Sequence, residues 1–339
     1  MNEVVDVFDI AYRERRLISI IVELLTLCNE SCEHCYIPEH NGTGLETNEV
    51  IRMIRDFRKQ GGAMITFTGG EIFLRQDIWE ILGAARKEYL RVFILTNATL
   101  ITEEVALRLA DMGIAEISTT IYSLRAEVHD SITKVNGSLM QTLNGIKNVK
   151  KYGTPVVVKT PVMEKNKFDY MEIERFCKKR EYGFLFSPVI FSKSNGDSSP
   201  HKYAVSVADL PQILRNMPEQ KKCYEGIDLE HDSICRKLSY SLAIDQNGDA
   251  YPCNCFFVKI GNIRENSFEE IWNNSNLQKL QGMKTKDLAK CSECDFVNEC
   301  TRCPGVALLE DKTLFGCSES AKTIAMIKHK MREKEVSTR

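Results

Sequence analysis

The sequence predicts an α/β protein built on a parallel sheet, and two observations carry that prediction. Short runs rich in branched apolar residues alternate six times with segments of helical periodicity, the pattern of strands joined by right-handed helical crossovers. The two most chemistry-bearing motifs, Cys28–Cys35 and Gly69-Gly70-Glu71, each follow directly on a strand. In parallel α/β architectures such positions share one rim, at the C-terminal ends of the strands, where active sites form.

The elements follow in order. Residues 1–16 read as a lead-in, with Arg13, Glu14, Arg15 and Arg16 solvated. Leu17 to Leu27 reads as a strand buried on both faces. A helix over 47–60 is capped by Thr47, carries Val50, Met53, Ile54 and Phe57 at helical spacing, and ends at Gly61-Gly62. A strand at 63–67 leads into Thr68-Gly69-Gly70-Glu71. Then come a helix at 76–89, a strand at 91–96 ending in Asn97, a helix at 102–112 and a strand at 114–119. Leu139, Leu143, Ile146 and Val149 mark a helix ended by Gly153, before a strand at 155–160. A helix at 168–182 and a strand at 184–190 complete the set. Cys177 falls inside the last helix and reads as a buried thiol. His129 reads as a surface residue at a helix start, and Lys159 as a solvated lysine that could meet a carboxylate. Periodicity alone leaves open whether the sheet is doubly wound or a curved partial barrel.

Residues 192–200 are rich in turn formers, and a short helical bridge follows from Asp209 to near Pro218. The chain divides as lead-in 1–16, barrel 17–200, bridge 201–222, cysteine-rich domain 223–320, and C-terminal helix and tail 321–339. Ile324, Ile327 and Met331 give that last helix its docking face.

The 339 residues carry a net charge of −2, which gives no bulk electrostatic case for nucleic acid or a membrane surface. No apolar run is long enough to span a bilayer, and no secretory signal is visible. The expected location is the cytosol. There, thirteen cysteines point to metal or cluster ligation rather than disulfides.

Cys28, Cys32 and Cys35 stand at CxxxCxxC spacing. Three thiolates in a tight loop can hold three irons of a four-iron cubane and leave the fourth iron open to a small molecule, whereas electron-transfer clusters use four. The bland reading is a partial zinc site or three buried thiols. The motif resembles the signature of the radical S-adenosylmethionine (SAM) superfamily. That resemblance implies a partial (β/α)6 TIM-like barrel and a SAM-chelating [4Fe-4S] cluster, and it implies a 5′-deoxyadenosyl radical made by reductive cleavage of SAM. His34 stands where the family usually has an aromatic residue, and Tyr36 where it often has a residue near the adenine. Gly69, Gly70 and Glu71 resemble the family's element for the methionyl amino group. Asn97 and Ser118 lie where related maturases line the SAM ribose and carboxylate site.

The C-terminal array runs Cys235, Gly248-xxxx-Cys253, Cys255, Cys291-xx-Cys294-x5-Cys300-xx-Cys303 and Cys317. It resembles the SPASM extension of radical SAM enzymes, departing in having two residues, not three, between Cys300 and Cys303. The resemblance implies two auxiliary [4Fe-4S] clusters. One is held by Cys235, Cys253 and Cys303, with Cys223, Cys255 or an open iron completing it. The other is held by Cys291, Cys294, Cys300 and Cys317. Read as bare residues, CxxC pairs are equally those of a zinc ribbon.

The resemblance is closest to peptide and protein maturases. The expected function is oxidative modification of a ribosomally made precursor peptide, by a thioether or C–C cross-link, in an anaerobic host. A flavodoxin- or ferredoxin-type protein would supply electrons. The short lead-in leaves no room for a leader-recognition domain, so either the barrel mouth reads the peptide or a separate protein delivers it. The alternatives are a dehydrogenase of a small molecule or of a protein Cys/Ser side chain, and a non-enzymatic iron-sulfur or zinc-binding protein.

Overall fold

The structure is a computed structural model, and it describes residues 6–217, 228 and 230–337. Six parallel strands form a partial barrel: β1 (Ser19–Glu23), β2 (Met64–Thr68), β3 (Arg91–Leu95), β4 (Glu116–Thr120), β5 (Val156–Pro161) and β6 (Gly183–Ser187). Alternate residues of each strand point to opposite faces. Ile20, Val22, Ile65, Phe67, Val92, Ile94, Ile117 and Val158 are fully buried against the helices, each contributing roughly 1.5–3 kcal/mol. The other face is only half-buried: Ser19, Ile21 and Glu23 of β1 and Val157 and Lys159 of β5 look into the barrel. The first strand is therefore not buried on both faces as its composition suggests. The barrel is open, and its concave face lines a chamber.

The connecting helices are α2 (Thr47–Lys59), α3 (Ile78–Lys87), α4 (Glu103–Asp111), α5 (Ala126–Thr133), α6 (Ser138–Lys151) and α7 (Tyr170–Arg180). In α2 Val50, Met53, Ile54 and Phe57 are buried together, as their spacing predicts. Its cap is not Thr47: Glu49 reaches back to the Glu46 N–H at 2.9 Å, while Thr47 donates to Asp77 at 2.5 Å. Cys177 is fully buried in α7. Two helices of the barrel half were given no bounds by the sequence reading. α1 (Val7–Glu14) is capped by Asp6, which accepts from Phe8 N–H. α5 lies between β4 and α6, where Asp130 accepts from the first N–H groups of α6.

After α8 (Leu210–Arg215) the chain returns to the same sheet. β7 (Ser241–Ile244) pairs parallel to β1, and β8 (Asp249–Tyr251) and β9 (Gly261–Asn262) add antiparallel. The nine-stranded order is β6-β5-β4-β3-β2-β1-β7-β8-β9. Helices α9 (Phe268–Trp272), α10 (Ser275–Gly282), α11 (Ala289–Ser292) and α12 (Pro304–Asp311) complete the cysteine-rich region. α13 (Glu319–Ser337) packs Ile324, Ile327 and Met331 against Leu210, Ile213 and Leu214 of α8 and its surroundings. Among the described residues no helix is long and apolar enough to cross a membrane.

Candidate active site

β1 delivers the chain to the Cys28–Cys35 loop at the C-terminal rim. The lead into that loop is zipped to the segment after β2: Gly70 N–H donates to Leu25 O, and Glu71 N–H to Leu27 O, both at 2.9 Å. This explains the two glycines. A Cβ on Gly69 would stand 2.3 Å from Leu25 O, and one on Gly70 2.1 Å from Leu27 O. The resemblance implies that Gly69 and Gly70 serve the methionyl amino group of SAM. They make room first for the backbone that carries Cys28.

Cys28, Cys32 and Cys35 line one cavity of about 190 Å³, together with Gly69, Gly70, Tyr36, Asn97, Ser118 and Lys159. All three thiols are free and half-buried. Burial pushes Cys28 up to about 11 and raises Cys32 and Cys35 as well. The loop is pinned below by Ser31 N–H to Thr133 O and Glu33 N–H to Ile132 O, at 3.0 Å each. Glu33 also pairs with Lys134 and Lys165.

Glu71 is sealed behind the cavity wall. Its carboxylate accepts from Thr96 Oγ1 (2.7 and 2.8 Å), Asn97 N–H (2.9 Å) and Phe73 N–H (3.0 Å) with no exposure at all. It ties β2 to the end of β3, so in this motif it is the main chain of Gly69 and Gly70 that faces the cavity. Asn97 presents its amide at the rim, donating to Asn29 at 2.8 Å. Ser118 donates to Glu116 at 2.8 Å. His34 does not line the cavity; its Nε2 meets the Tyr122 hydroxyl at 2.9 Å, and burial holds it down to about 4. Tyr36 does line the cavity and donates its hydroxyl to Glu23, whose carboxyl burial lifts to about 7.

Three residues of this cavity, and one packed behind its Tyr122, were missed or misread in the sequence. Glu30 is buried beside Cys32, and burial raises its carboxyl to about 7. His40 sets Nε2 3.3 Å from Cys35 Sγ. His129 is buried rather than on the surface: its Nδ1 accepts the Tyr122 N–H at 3.3 Å, and the two rings pack 5.3 Å apart. Lys159 is not a solvated lysine but part of the cavity wall. No local pattern marks any of the four, because each is defined by what packs on it from elsewhere.

The C-terminal cysteines separate into two groups. β8 runs antiparallel to β7, so Cys253, two residues beyond β8, returns towards the N-terminal ends of the parallel strands. Cys235, which precedes β7, and Cys303 lie close enough to Cys253 for their charges to interact. Cys255 joins them through a thiol contact with Cys253, which holds Cys253 below the usual thiol range. Gly305, at the start of α12, packs directly on this loop; a Cβ there would stand 2.0 Å from Cys255 O. Cys291, Cys294, Cys300 and Cys317 line a second cavity of about 290 Å³. The two-residue spacer suffices to send Cys300 and Cys303 to different groups. Cys223 lies outside the described residues. Among those described, no three His, Cys, Asp or Glu groups close on one point as a single metal ion requires. A cubane asks instead for soft thiolates around a wider mouth, one to each iron.

An open parallel barrel with three thiols and a glycine pair on its C-terminal rim defines a radical SAM enzyme, holding a [4Fe-4S] cluster and SAM. Residues 22–177 match the Radical SAM superfamily model. The chain belongs to the branch carrying a SPASM region: residues 235–295 match the SPASM iron-sulfur cluster-binding domain. It is 27% identical over 317 residues to an AdoMet-dependent heme synthase of Methanosarcina barkeri, covering 83% of this chain and 89% of that protein. It is 29% identical over 299 residues to the antilisterial bacteriocin subtilosin biosynthesis protein AlbA of Bacillus subtilis, covering 83% and 66%. Its fold is similar to that of Streptococcus suis SuiB bound to precursor peptide SuiA, with a TM-score of 0.72 and 17% identity over 93% of this chain and 78% of that one.

Proposed function

We propose that this enzyme abstracts a hydrogen atom from a peptide substrate held in the barrel chamber and leaves it oxidised, as a thioether or C–C cross-link. The observation that carries the reading is one open concave face with a cysteine group at each end. Cys28, Cys32 and Cys35 stand at the C-terminal rim, and Cys235, Cys253 and Cys303 towards the opposite edge. A substrate between them could lose a hydrogen atom at one end and an electron at the other.

In this reading Cys28, Cys32 and Cys35 would hold the [4Fe-4S] cluster, which when bound would supply the electron for SAM cleavage. Main-chain groups of Gly69 and Gly70 meet the SAM ammonium, Asn97 and Ser118 border the ribose and carboxylate, and Tyr36 stands near the adenine. His34 acts from behind, by fixing Tyr122. Cys235, Cys253, Cys255 and Cys303 hold one auxiliary cluster, with Cys255 favoured as fourth ligand by its contact with Cys253. Cys291, Cys294, Cys300 and Cys317 hold the other. The chamber walls orient the substrate and exclude water, while the cofactor carries the difficult chemistry. A flavodoxin- or ferredoxin-type donor supplies electrons, and a separate protein presents the peptide if the chamber alone does not retain it.

A second reading takes a tetrapyrrole as substrate. It is favoured by the chain's cover of 89% of the heme synthase against 66% of the bacteriocin maturase. Anaerobically reconstituted enzyme should carry roughly a dozen irons for three cubanes and form 5′-deoxyadenosine from SAM under reductant. Incubation with candidate precursor peptides and with a porphyrin, followed by mass spectrometry, separates the two readings. Protein that binds zinc and forms no 5′-deoxyadenosine would overturn both.

A further inference from the structure

Tyr89, 86% exposed, is the most exposed large apolar side chain among the described residues. It sits in the turn between α3 and β3, at the N-terminal edge of the sheet. Its backbone is left-handed, with φ 59°. Gly61, Gly113 and Gly153 take that conformation after α2, α4 and α6, where glycine carries no Cβ penalty. Among the described residues other than glycine with positive φ, Tyr89 is the only aromatic. It carries the strain of this conformation and buries almost nothing in return, and strained residues of this kind cluster at functional sites.

The surface around Tyr89 is basic and contiguous. β2 and β3 start side by side, with Met64 against Arg91, and Arg91 N–H donates to Ala63 O at 2.9 Å. The end of α2 joins the same surface: Arg58 donates to Gly62 O at 2.9 Å, and Arg55 reaches Glu88 at 3.9 Å. Arg58, Lys59, Lys87 and Arg91 are all exposed. The two acids on these helix ends are occupied, Glu88 by Arg55 and Asp56 by the Phe268 N–H at 2.9 Å. Lys59 and Lys87 make no side-chain hydrogen bond or ion pair among the described residues. Cations at helix C-termini offset the macrodipole, which accounts for Lys59 and Lys87. It does not account for Arg91, which opens a strand and stands 5.2 Å over the Phe93 ring, nor for Tyr89. The whole chain carries a net charge of −2, so the positive surplus is local.

We propose that this patch is the docking surface of an acidic one-electron carrier, with Tyr89 as the anchor and Arg58, Lys59, Lys87 and Arg91 as the charged ring. The inference rests on the reading that a flavodoxin- or ferredoxin-type protein supplies the electrons, and it adds where that protein sits. Tyrosine and arginine are enriched at the centres of protein interfaces, and complementary charge chiefly speeds the encounter. The patch stands about one strand length, roughly 17 Å for five residues, below the C-terminal rim. That is too far for a side chain bound at the patch to reach the thiols there. An electron needs no such contact, and Cys235, Cys253 and Cys303 lie towards the same edge. Each docking event moves one electron: the carrier is oxidised, the enzyme is reduced, and the carrier leaves.

The test measures binding of a flavodoxin and a ferredoxin, each of strongly negative net charge, to reconstituted holoenzyme by surface plasmon resonance. In parallel, 5′-deoxyadenosine formation is driven by dithionite, which needs no docking. At least one carrier should bind, with an association rate that falls about tenfold as salt rises from roughly 0.05 to 0.5 M. The double variant Lys59→Glu/Lys87→Glu should lower that rate about tenfold and leave the dithionite-driven reaction unchanged. Tyr89→Gly should weaken carrier affinity about tenfold with a denaturant midpoint unchanged or raised, since glycine takes φ 59° without strain. A merely structural tyrosine would move the midpoint and spare the affinity. Wild-type carrier binding in both variants would overturn the proposal. So would failure of both carriers to bind wild-type enzyme, or variants that lose affinity for an acidic precursor peptide and keep it for the carriers. Failure of the enzyme reading itself is distinguishable, because dithionite would then yield no 5′-deoxyadenosine.

Discussion

Substituting alanine at Gly70 tests whether the glycine pair serves the backbone that carries Cys28. The new Cβ would stand 2.1 Å from Leu27 O and 2.5 Å from Thr26 O, whereas real Cβ atoms essentially never approach within 3.0 Å. Both neighbours are main chain, so no side chain can swing away. The strand end must separate from the Gly69–Glu71 segment by about 0.9 Å, straining the Gly70-to-Leu25 and Glu71-to-Leu27 hydrogen bonds. Overpacking of this kind costs typically about 1–3 kcal/mol. Leu27 precedes Cys28 directly, so the shift passes into the cysteine loop, and a misplacement near 1 Å can cost on the order of a hundredfold in rate. The assays are the denaturant midpoint, iron per chain, and uncoupled 5′-deoxyadenosine formation under reductant. Gly70→Ala should fall in all three. Wild-type stability, iron and cleavage rate in Gly70→Ala would refute the reasoning, because the segment would then have room the geometry denies it.

Glu71→Ala should cost about 2–4 kcal/mol in chemical denaturation, since it leaves the Thr96 hydroxyl and the Asn97 and Phe73 amides buried without their acceptor; Glu71→Gln should cost less. His40→Leu removes the donor 3.3 Å from Cys35 Sγ and should lower the potential of the SAM-binding cluster by tens of millivolts with unchanged iron, read by an electron paramagnetic resonance titration. Glu23 has its folded pKa raised by burial from 4.5 to about 7. The native state therefore holds this proton more tightly, and the stability it lends is complete below pH 4.5 and is lost as pH rises towards 7 and above. Denaturant midpoints from pH 5 to 8 should show a decline of a few kcal/mol at most, reduced by solvent reaching the group, and Glu23→Gln should flatten it.

The six-strand alternation was legible because each strand buries one apolar row and each helix an apolar stripe, as with Val50, Met53, Ile54 and Phe57. The two cysteine motifs were visible in their spacing, but spacing alone left a zinc site open, and only the family resemblance pointed to clusters. What escaped were elements too short or too polar to show a period. Helix α5, Ala-Glu-Val-His-Asp-Ser-Ile-Thr, buries only His129, Ile132 and Thr133. β7 is four residues long and β8 three. The Asp245–Gly248 turn between them was a signal that could have found the hairpin. Asp245 accepts from the Asn247 and Asp249 N–H groups, and Gly248 takes φ +80°. The pocket wall was the least legible part. Glu30, His40 and Lys159 on the wall, and His129 behind Tyr122, acquire their surroundings only when distant strands and loops meet, and a linear pattern holds no record of that meeting.

The hydrogen bonds between β7 and β1 make the two halves of the chain one fabric. A gene shortened before Ser241 would not yield a tidy barrel awaiting its extension. It would leave a raw selvedge along Ser19, Ile20, Ile21 and Val22, an open row of amides and carbonyls ready to catch on another chain. The cysteine-rich region is thus also the hem that keeps the first strand, and the loop it feeds, from unravelling into aggregates.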